Sequence, residues 1–526
     1  MEEHEEYSRA VNPWLVALAV ILPTFMEVLD TSIAAVALPY IAGSLSATTD
    51  EATWVLTSYL VANAIILPAS GWFSLRFGRK RFLITCIVIF TLASFMCGSS
   101  ASLGMILIAR AIQGAGGGAL QPLSQAILLE SFPPKKRGLA MAVFGLGVVV
   151  APVLGPTLGG WLTDTYSWRW AFYINIPVGI LAIAMIMRYV KDPSYIKHGH
   201  AGRFDAIGLG LLALWLGALQ IILDKGQEAD WFSAVWIRWA TLILVIAFIA
   251  FIIRQLRRRD PLVNLRVFRH RNFTIGCILI GLFGAAIYGL VTLLPLFYQE
   301  LLGYNALTAG IAVSPRGLGA IIAMPIIGVL TSRIDNRYLI ASGFFLFAIS
   351  SVWFAAIDLS ITQWTLLWPI IISGIGSGCV FVPLSTTAVA GMRNEEIGNA
   401  TGLYNLLRNI GGSVGISLVE TVVARRMQVH RADLVHSLNP ENPAFTQTFQ
   451  SLRTLLQHSG SAIGATLSRQ GLRAYELINN ILKQQSALLA YIDDFRYLAI
   501  MCFVCIPLVF VLRRTIAKKG AVSAGH

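Results

Sequence analysis

The sequence predicts an all-α membrane protein of fourteen spans, arranged as two six-helix bundles with two extra transmembrane helices between them. Three observations carry that expectation. Hydrophobic residues make up 56% of the 526 and charged residues 13%, about half the ~25% of a soluble domain, and mean hydropathy is +0.69. Apolar runs of about 20 residues, the length that crosses a hydrocarbon core, recur along the whole chain. One of them, GLGVVVAPVLGPTLGG, places Gly145, Gly147, Gly155, Gly159, Gly160, Pro152 and Pro156 within a single span. In water each interior Gly costs roughly 1 kcal/mol against Ala and each Pro roughly 3 kcal/mol. In a bilayer, neighbouring helices re-satisfy the freed backbone groups, and small residues let helices approach closely.

The elements follow in order. Span 1 (14–40) comes after an acidic start, MEEHEEYSRA, unlike the basic n-region and short apolar core of a cleavable signal. Span 2 (54–75) ends in a Gly-led basic turn, GWFSLRFGRKR (71–81), from which span 3 (82–102) departs. Span 4 (104–128) contains GAGGG (114–118). That run is only superficially a phosphate loop, since it interrupts a membrane span rather than joining a strand to a helix. Span 5 (139–162) holds the Gly–Pro run, and span 6 (170–189) completes a first bundle, 1–190. Spans 7 (205–223) and 8 (237–254) occupy a linking region, 191–271, and have no counterpart in either half. Spans 9 (272–298), 10 (305–330), 11 (338–357), 12 (364–390), 13 (400–424) and 14 (496–514) build the second bundle, 272–526. GVLTSRIDNR (328–337) echoes the basic turn, and GGSVG (411–415) echoes the glycine-rich fifth helix, the weak internal symmetry that parallel transporter repeats leave.

Residues 426–495 form the one candidate external region. TQTFQSLRTLLQ (446–457) and AYELINNILKQQSALLAYI (474–492) have helical apolar spacing. They are expected as amphipathic helices on the outer face, serving either as a lid over the protein's own loops or as a docking surface.

One alternating set of loops carries nearly all the short-loop Lys and Arg, including RFGRKR (76–81), PPKKRG (133–138) and 254–271. The opposite short loops hold Arg169, Lys225 and Arg238. The bias of basic residues to the inside then puts both termini in the cytoplasm. It also accounts for the net charge of +13 without a nucleic-acid partner, while leaving attraction to anionic lipid head groups. All six cysteines (86, 97, 277, 379, 502 and 505) lie in or at apolar spans, so no disulfide framework is implied. Cys502 and Cys505 form a CxxC that reads as structural within a lipid-embedded helix. No histidine lies deep in a span, and His198 and His200 read as a solvated loop rather than a metal site. No metal, cofactor or enzymatic chemistry is expected, and the chain has no Walker A sequence for ATP.

An ionisable residue deep in a span costs about 2.5–3.5 kcal/mol on insertion scales and is a functional candidate by default. Span 1 holds Glu27 and Asp30, three residues apart and so on neighbouring positions of one helix face. Arg110 of span 4 reaches a similar depth. An arginine near two carboxylates can hold one ionised while the other titrates, which suits a proton carrier; a static ion pair fixing helix register is the alternative. That choice stays open for Glu27. Arg316 and Arg408 also lie near mid-depth, with Glu420 the nearest deep carboxylate and closer to the outer end. Either arginine could shape the cavity potential, bind an anionic substrate group or bond to helix-end carbonyls; structural pairing fits Arg408 best, and the choice stays open for Arg316. Tyr59, Asn63, Gln113, Gln121 and Asn405 offer polar contacts among apolar walls, as a ligand cavity requires, although any one of them fits a helix–helix hydrogen bond better than a substrate contact.

Taken in order and spacing, these residues resemble the major facilitator superfamily, and within it the fourteen-helix drug:proton antiporters of the EmrB/QacA type, closest to the EmrB branch. LDTSIAAVALP (29–39) is similar to the first-helix motif, with Asp30 at its acidic position. RAIQGAGGG (110–118) is similar to the fourth-helix motif, with Arg110 at the basic position implicated in proton transfer. GPTLGG (155–160) resembles the close of the fifth-helix antiporter motif, and WRWAFYINIPVG (168–179), LDKGQEADWF (223–232) and LRNIGGSVG (407–415) resemble further signatures. The second-helix motif, usually GxxxDRxGRR, keeps Gly71, Arg76, Gly78 and Arg79 but has Leu75 in place of its acid, and Ser332 stands there in the second copy. The cytoplasmic gate is then expected to rely on Arg76, Arg79 and their neighbours against carbonyls or other acids.

The resemblance implies a multi-pass protein of the bacterial inner membrane. It would export small amphipathic, hydrophobic compounds by alternating access, driven by the proton gradient and using no cofactor. It further implies a periplasmic adaptor and an outer-membrane channel as partners, and span 5 packing against the second half. A dedicated exporter of one metabolite, fatty acid or siderophore is a rival within transport. A membrane receptor that binds without moving its ligand is the rival from another class.

Overall fold

The computed structural model describes residues 12–514, except 134–135, 193–203, 360, 362, 437, 440 and 459–466; His198 and His200 lie outside the described residues. Among those described, the regular structure is helical. Thirteen helices are long and apolar enough to cross a membrane, and the second half of the last helix is the fourteenth. Asp493, Asp494 and Arg496 stand close together within that second half and lower its hydropathy.

The first half comprises α1 (Pro13–Ser44), α2 (Thr49–Phe77), α3 (Arg79–Gly98), α4 (Leu103–Gly117), α5 (Leu120–Ser131), α6 (Arg137–Thr165), α7 (Trp170–Tyr173) and α8 (Asn175–Tyr189). Between the halves run α9 (Ala206–Lys225) and α10 (Val235–Arg257). The second half comprises α11 (Arg271–Leu296), α12 (Ala306–Val313), α13 (Pro315–Leu330), α14 (Asn336–Phe354), α15 (Gln363–Ala388), α16 (Asn394–His436), α17 (Pro443–His458) and α18 (Leu467–Val509).

Three expected spans are each split in two. Span 4 breaks between α4 and α5, where Gly114, Gly117 and Gly118 press against the Tyr59 carbonyl, the Tyr59 hydroxyl and the Asn63 carbonyl of α2. No side chain fits there, so the GAGGG run serves helix–helix contact. Span 10 breaks at Pro315, which opens α13 at its first position, where the missing N–H costs nothing. Span 6 divides into α7 and α8 at Ile174.

The larger departure lies beyond span 13. The polar region expected to begin at 426 instead continues α16 without a break to His436, and α18 begins at Leu467, well before its apolar part. The two extensions are clamped together by Asp493, which accepts from Arg426 at 2.6 Å and pairs with His430 at 2.8 Å. The segments expected as amphipathic helices fall in α17 and α18, and Phe449 of α17 stacks near Tyr475 of α18 at 4.7 Å between ring centroids.

Within the first half α1 packs on α6 and α8, and α4 on α2 and α3; within the second, α11 packs on α16, and α15 on α13 and α14. The halves meet along two seams, α6 against α13 and α2 against α16. The outer surface carries exposed Leu92, Ile108, Ile180, Trp239, Ile246 and Trp364, an apolar belt suited to lipid rather than water.

Candidate functional site

A cavity of about 1350 Å³ lies between the halves, larger than the ~300–1,000 Å³ of common ligand pockets. It runs from Glu27, Tyr59, Asn63 and Gln121 at mid-depth to Tyr40, Trp161 and Asp164 in the last turns of α1 and α6. Those turns lie at the face opposite the basic loops. Toward the basic face the cavity is closed. Asn405 of α16 donates to Gln125 of α5 at 2.6 Å. A Cβ on Gly71 of α2 would lie 3.0 Å from the Asn399 Cα of α16, and one on Gly138 of α6 would lie 2.7 Å from the Gly328 carbonyl of α13.

Two carboxylates of α1 serve two different environments. Asp30 lies inside the first bundle with no solvent exposure of its carboxylate. Arg110 of α4 donates to its Oδ2 at 2.6 Å, Gln113 to its Oδ1 at 2.9 Å, and Asn175 of α8 to the same Oδ1 at 2.6 Å. Arg110 also donates through Nε to the Val55 carbonyl at 3.0 Å and through Nη1 to Gln113 at 2.7 Å, while Ser94 of α3 accepts from both Gln113 and Asn175. Five helices thus converge on one buried ion pair whose oxygens are nearly saturated with donors. This geometry lets a charged pair persist in a low-dielectric interior.

Glu27 faces the cavity instead. It accepts from Gln121 at 2.6 Å, from Asn63 at 3.1 Å and from the Tyr59 hydroxyl at 3.4 Å. Gln121 in turn accepts from Arg408 of α16, so one amide joins Glu27 of the first half to an arginine of the second across the cavity floor. Tyr59 links the two carboxylate sites: its hydroxyl reaches Glu27, while its ring lies 4.2 Å beneath the Arg110 guanidinium, within range of a cation–π contact. Of the two carboxylates expected near this arginine, Arg110 bonds Asp30, while Glu27 is bound by Gln121, Asn63 and Tyr59. Arg110 holds Asp30, and Tyr59 stands between that pair and Glu27.

Other expectations change with the geometry. Tyr59, Asn63 and Gln121 line the cavity, but Gln113, Arg316, Asn405 and Arg408 are not among its lining residues. Gln113 belongs to the Asp30 cluster, Asn405 to the closed end and Arg408 to Gln121. Arg316 is buried in the second half, with Phe347 5.8 Å from its guanidinium. The fifth-helix motif divides its contacts. Gly145 faces Met324 and Phe381 of the second half, whereas Gly155 meets Ser32 and Gly159 meets Ile33, both on α1 of the same half. The i, i+4 spacing that aligns Gly155 with Gly159 turns this pair away from the seam. Pro152, Pro156 and Gly160 line the cavity.

At the basic turn Gly78 adopts φ +87, with Asp192 occupying the space a side chain would need. The Lys80 amide donates to that same carboxylate at 2.8 Å. Arg79 is buried and paired with Glu130, in the last turn of α5. An acid from another helix thus takes the guanidinium that the acid missing at Leu75 would otherwise approach. Arg76 is exposed at the end of α2.

Sequence reasoning missed Asn175, Ser94, Gln125 and Glu130. Only Asn175 left a signal, as a polar residue inside an apolar signature before Pro177. Asn175→Ala removes one of three donors to Asp30 and leaves Ser94 with one fewer partner. Losing a hydrogen bond to a charged group costs about 1.5–3 kcal/mol. Substrate export by the reconstituted protein is expected to fall at least tenfold; export at the wild-type rate contradicts this role.

Fourteen spans around a polar-floored cavity, closed at one face and open toward the other, define a membrane transporter. Residues 20–416 match the family model of the Major Facilitator Superfamily, and the chain belongs to that superfamily. It is 38% identical over 462 residues to the multidrug export protein EmrB of Escherichia coli strain K12, covering 87% of this chain and 90% of that protein. It is 36% identical over 513 residues to the fatty acid resistance protein FarB of Neisseria gonorrhoeae, covering 97% of each. Among solved structures, the proton:xylose symporter XylE aligns with a TM-score of 0.58 at 14% identity, over 96% of this chain and 97% of that one; that likeness concerns the fold. The chain is accordingly a drug efflux transporter of the EmrB branch, embedded in the lipid bilayer and acting on small substrates, and not an enzyme.

Proposed function

We propose that this protein is a proton-coupled multidrug antiporter of the bacterial inner membrane, with both termini cytoplasmic, and that the cavity is in its outward-open state. The observation that carries the reading is the chain of contacts from the buried Asp30–Arg110 pair through Tyr59 to Glu27 on the cavity floor. A proton taken by Asp30 removes the charge that holds Arg110. The guanidinium, still held by Val55 and Gln113 but no longer neutralised, raises the positive potential at Tyr59 and toward Glu27, where an amphipathic substrate would sit. Proton and substrate then compete through one network without sharing an atom, as an exchanger requires: occupation by one lowers affinity for the other.

Orientation is supported by the loop charges, and the inner membrane by the EmrB relatives. A periplasmic adaptor and an outer-membrane channel are the partners that the branch suggests, and the paired extensions of α16 and α18 lie on the side such an adaptor would reach. A dedicated fatty-acid exporter is the second reading, favoured by the likeness to FarB along nearly the whole chain.

Purified protein in liposomes with an imposed pH gradient tests both. Lumenal pH is followed while lipophilic cations and anions are added, with Glu27→Gln alongside. Proton flux triggered by several unrelated compounds, and weakened for the cations in the variant, supports a multidrug antiporter. Flux with fatty-acid anions alone supports the second reading. Binding with no flux for any compound moves the assignment to a receptor.

A further inference from the structure

The two extra spans are not equivalent. α10 is lipid-exposed along most of its length, with Trp239, Ile246 and Ile249 all more than half exposed. α9 instead presents Leu216, Leu219, Gln220 and Leu223 to the cavity between the halves. These positions follow the i, i+3, i+4, i+7 pattern of a single helix face. The other side of α9 packs Trp215 edge-on to Phe248 of α10, 5.1 Å between centroids. α9 is therefore inserted between the core transporter and its lipid-facing companion.

Its attachments to the two halves are unequal. On the α2 side, Thr57 donates to Asp224, Lys225 donates to Thr53 at 2.8 Å, and Gly217 lies against Val61. On the α16 side, among the described residues, one bond is made, from the Ser413 hydroxyl to the Gln220 Oε1 at 3.0 Å. That bond occupies the acceptor of the amide. Among the described residues the Gln220 Nε2 donates to no protein acceptor, and the side chain stands in the cavity wall otherwise formed by three leucines of α9.

We propose that α9 is a third wall of the substrate cavity, and that Gln220 is a specificity-determining residue that donates a hydrogen bond to an acceptor oxygen on an amphipathic substrate. The ligand class that fits is an apolar body carrying a carbonyl, ester or ether oxygen. The apolar body lies on Leu216, Leu219 and Leu223, and the oxygen meets the free N–H groups of Gln220. Ser413 fixes the amide orientation by holding its oxygen, so the nitrogen is turned toward the ligand. This inference rests on the transport reading only for the identity of the ligand as a transported compound; the wall itself is a matter of cavity geometry.

Two measurements test it. In nanodiscs, where both faces are reachable, a water-soluble maleimide is applied to Gln220→Cys and to Leu214→Cys, the latter on the lipid-exposed side of the same helix. The native cysteines are buried. Gln220→Cys is expected to label at least tenfold faster than Leu214→Cys; equal rates overturn the wall, whatever the protein transports. Binding of rhodamine 6G, a lipophilic cation with an ester oxygen, is then compared with that of tetraphenylphosphonium, which has no acceptor. In Gln220→Leu the Kd for rhodamine 6G is expected to rise about tenfold, the effect of one lost hydrogen bond, while that for tetraphenylphosphonium changes less than twofold. Equal shifts for both, or none for either, overturn the specificity role. Fast labelling with selective binding but no substrate-driven proton flux leaves the wall standing and removes the transport reading instead.

Discussion

Asp30→Asn protein will insert, fold and bind lipophilic compounds, and it will drive no export from a proton gradient. Asparagine cannot ionise, so the proposed step in which the Arg110 charge is alternately neutralised and left unpaired disappears. The rest of the cluster keeps Arg110 in place: its Nε bond to the Val55 carbonyl and its Nη1 bond to Gln113 do not involve Asp30. Removing one partner of a buried ion pair costs about 3–5 kcal/mol. Retained bonds and an amide oxygen at position 30 offset part of that, which is why folding survives while coupling does not. The expected loss of proton-linked flux is on the order of 100-fold or more, read as lumenal pH in liposomes beside an unchanged elution profile in detergent. Gradient-driven export by the variant at the wild-type rate would remove Asp30 from the mechanism.

Gly138→Ala will shift the protein away from the conformation seen here toward one open at the basic face. Gly138 of α6 meets Thr331 and the Gly328 backbone of α13 at the closed end. Thr331 can rotate aside, but the Gly328 carbonyl, 2.7 Å from an added Cβ, cannot. Since α6 and α13 belong to different halves, the contact is relieved most easily by parting them. Overpacking costs about 1–3 kcal/mol, and each 1.4 kcal/mol is a factor of ten in the ratio of two states. A ten- to hundredfold change in that ratio is therefore expected. Spin labels at Arg76 and Arg393, both exposed at this face, report it as a longer distance population in the variant. An unchanged distribution would mean that the seam yields locally and does not set the closed state.

The architecture was legible because lipid imposes a length and a polarity on every span. Asp30 and Arg110 were legible for the same reason: an ion at that depth is expensive enough to demand a purpose. Gln113 was left between two readings because an amide in an apolar helix looks the same in sequence whether it faces a cavity or a neighbour. Its position three residues after Arg110 was the available clue, since that spacing puts both on one side of α4. Asn175 and Glu130 reach their partners from other helices, and no local pattern encodes such a meeting. Gln220 lies on a span that breaks the internal repeat, so symmetry drew attention away from it. The ends of α16 and α18 were hidden for a different reason. Hydropathy marks where lipid stops, and ARRMQVHRADLVH (424–436) is too polar for lipid yet entirely able to stay helical.

That continuity has a mechanical consequence. From Gly412 on the cavity wall to His436 at its tip, α16 is one unbroken helix, roughly 36 Å at 1.5 Å per residue. A tilt of about 10° at the floor, modest for a hinge or rocking motion, sweeps the tip sideways by about 6 Å over such an arm. Because Asp493 ties α18 to this arm at Arg426 and His430, in its outer half, the two would swing as one. Whatever rearrangement opens or closes the cavity is thereby amplified into a displacement legible far from the cavity floor, and the helix tip becomes a pointer to the internal state.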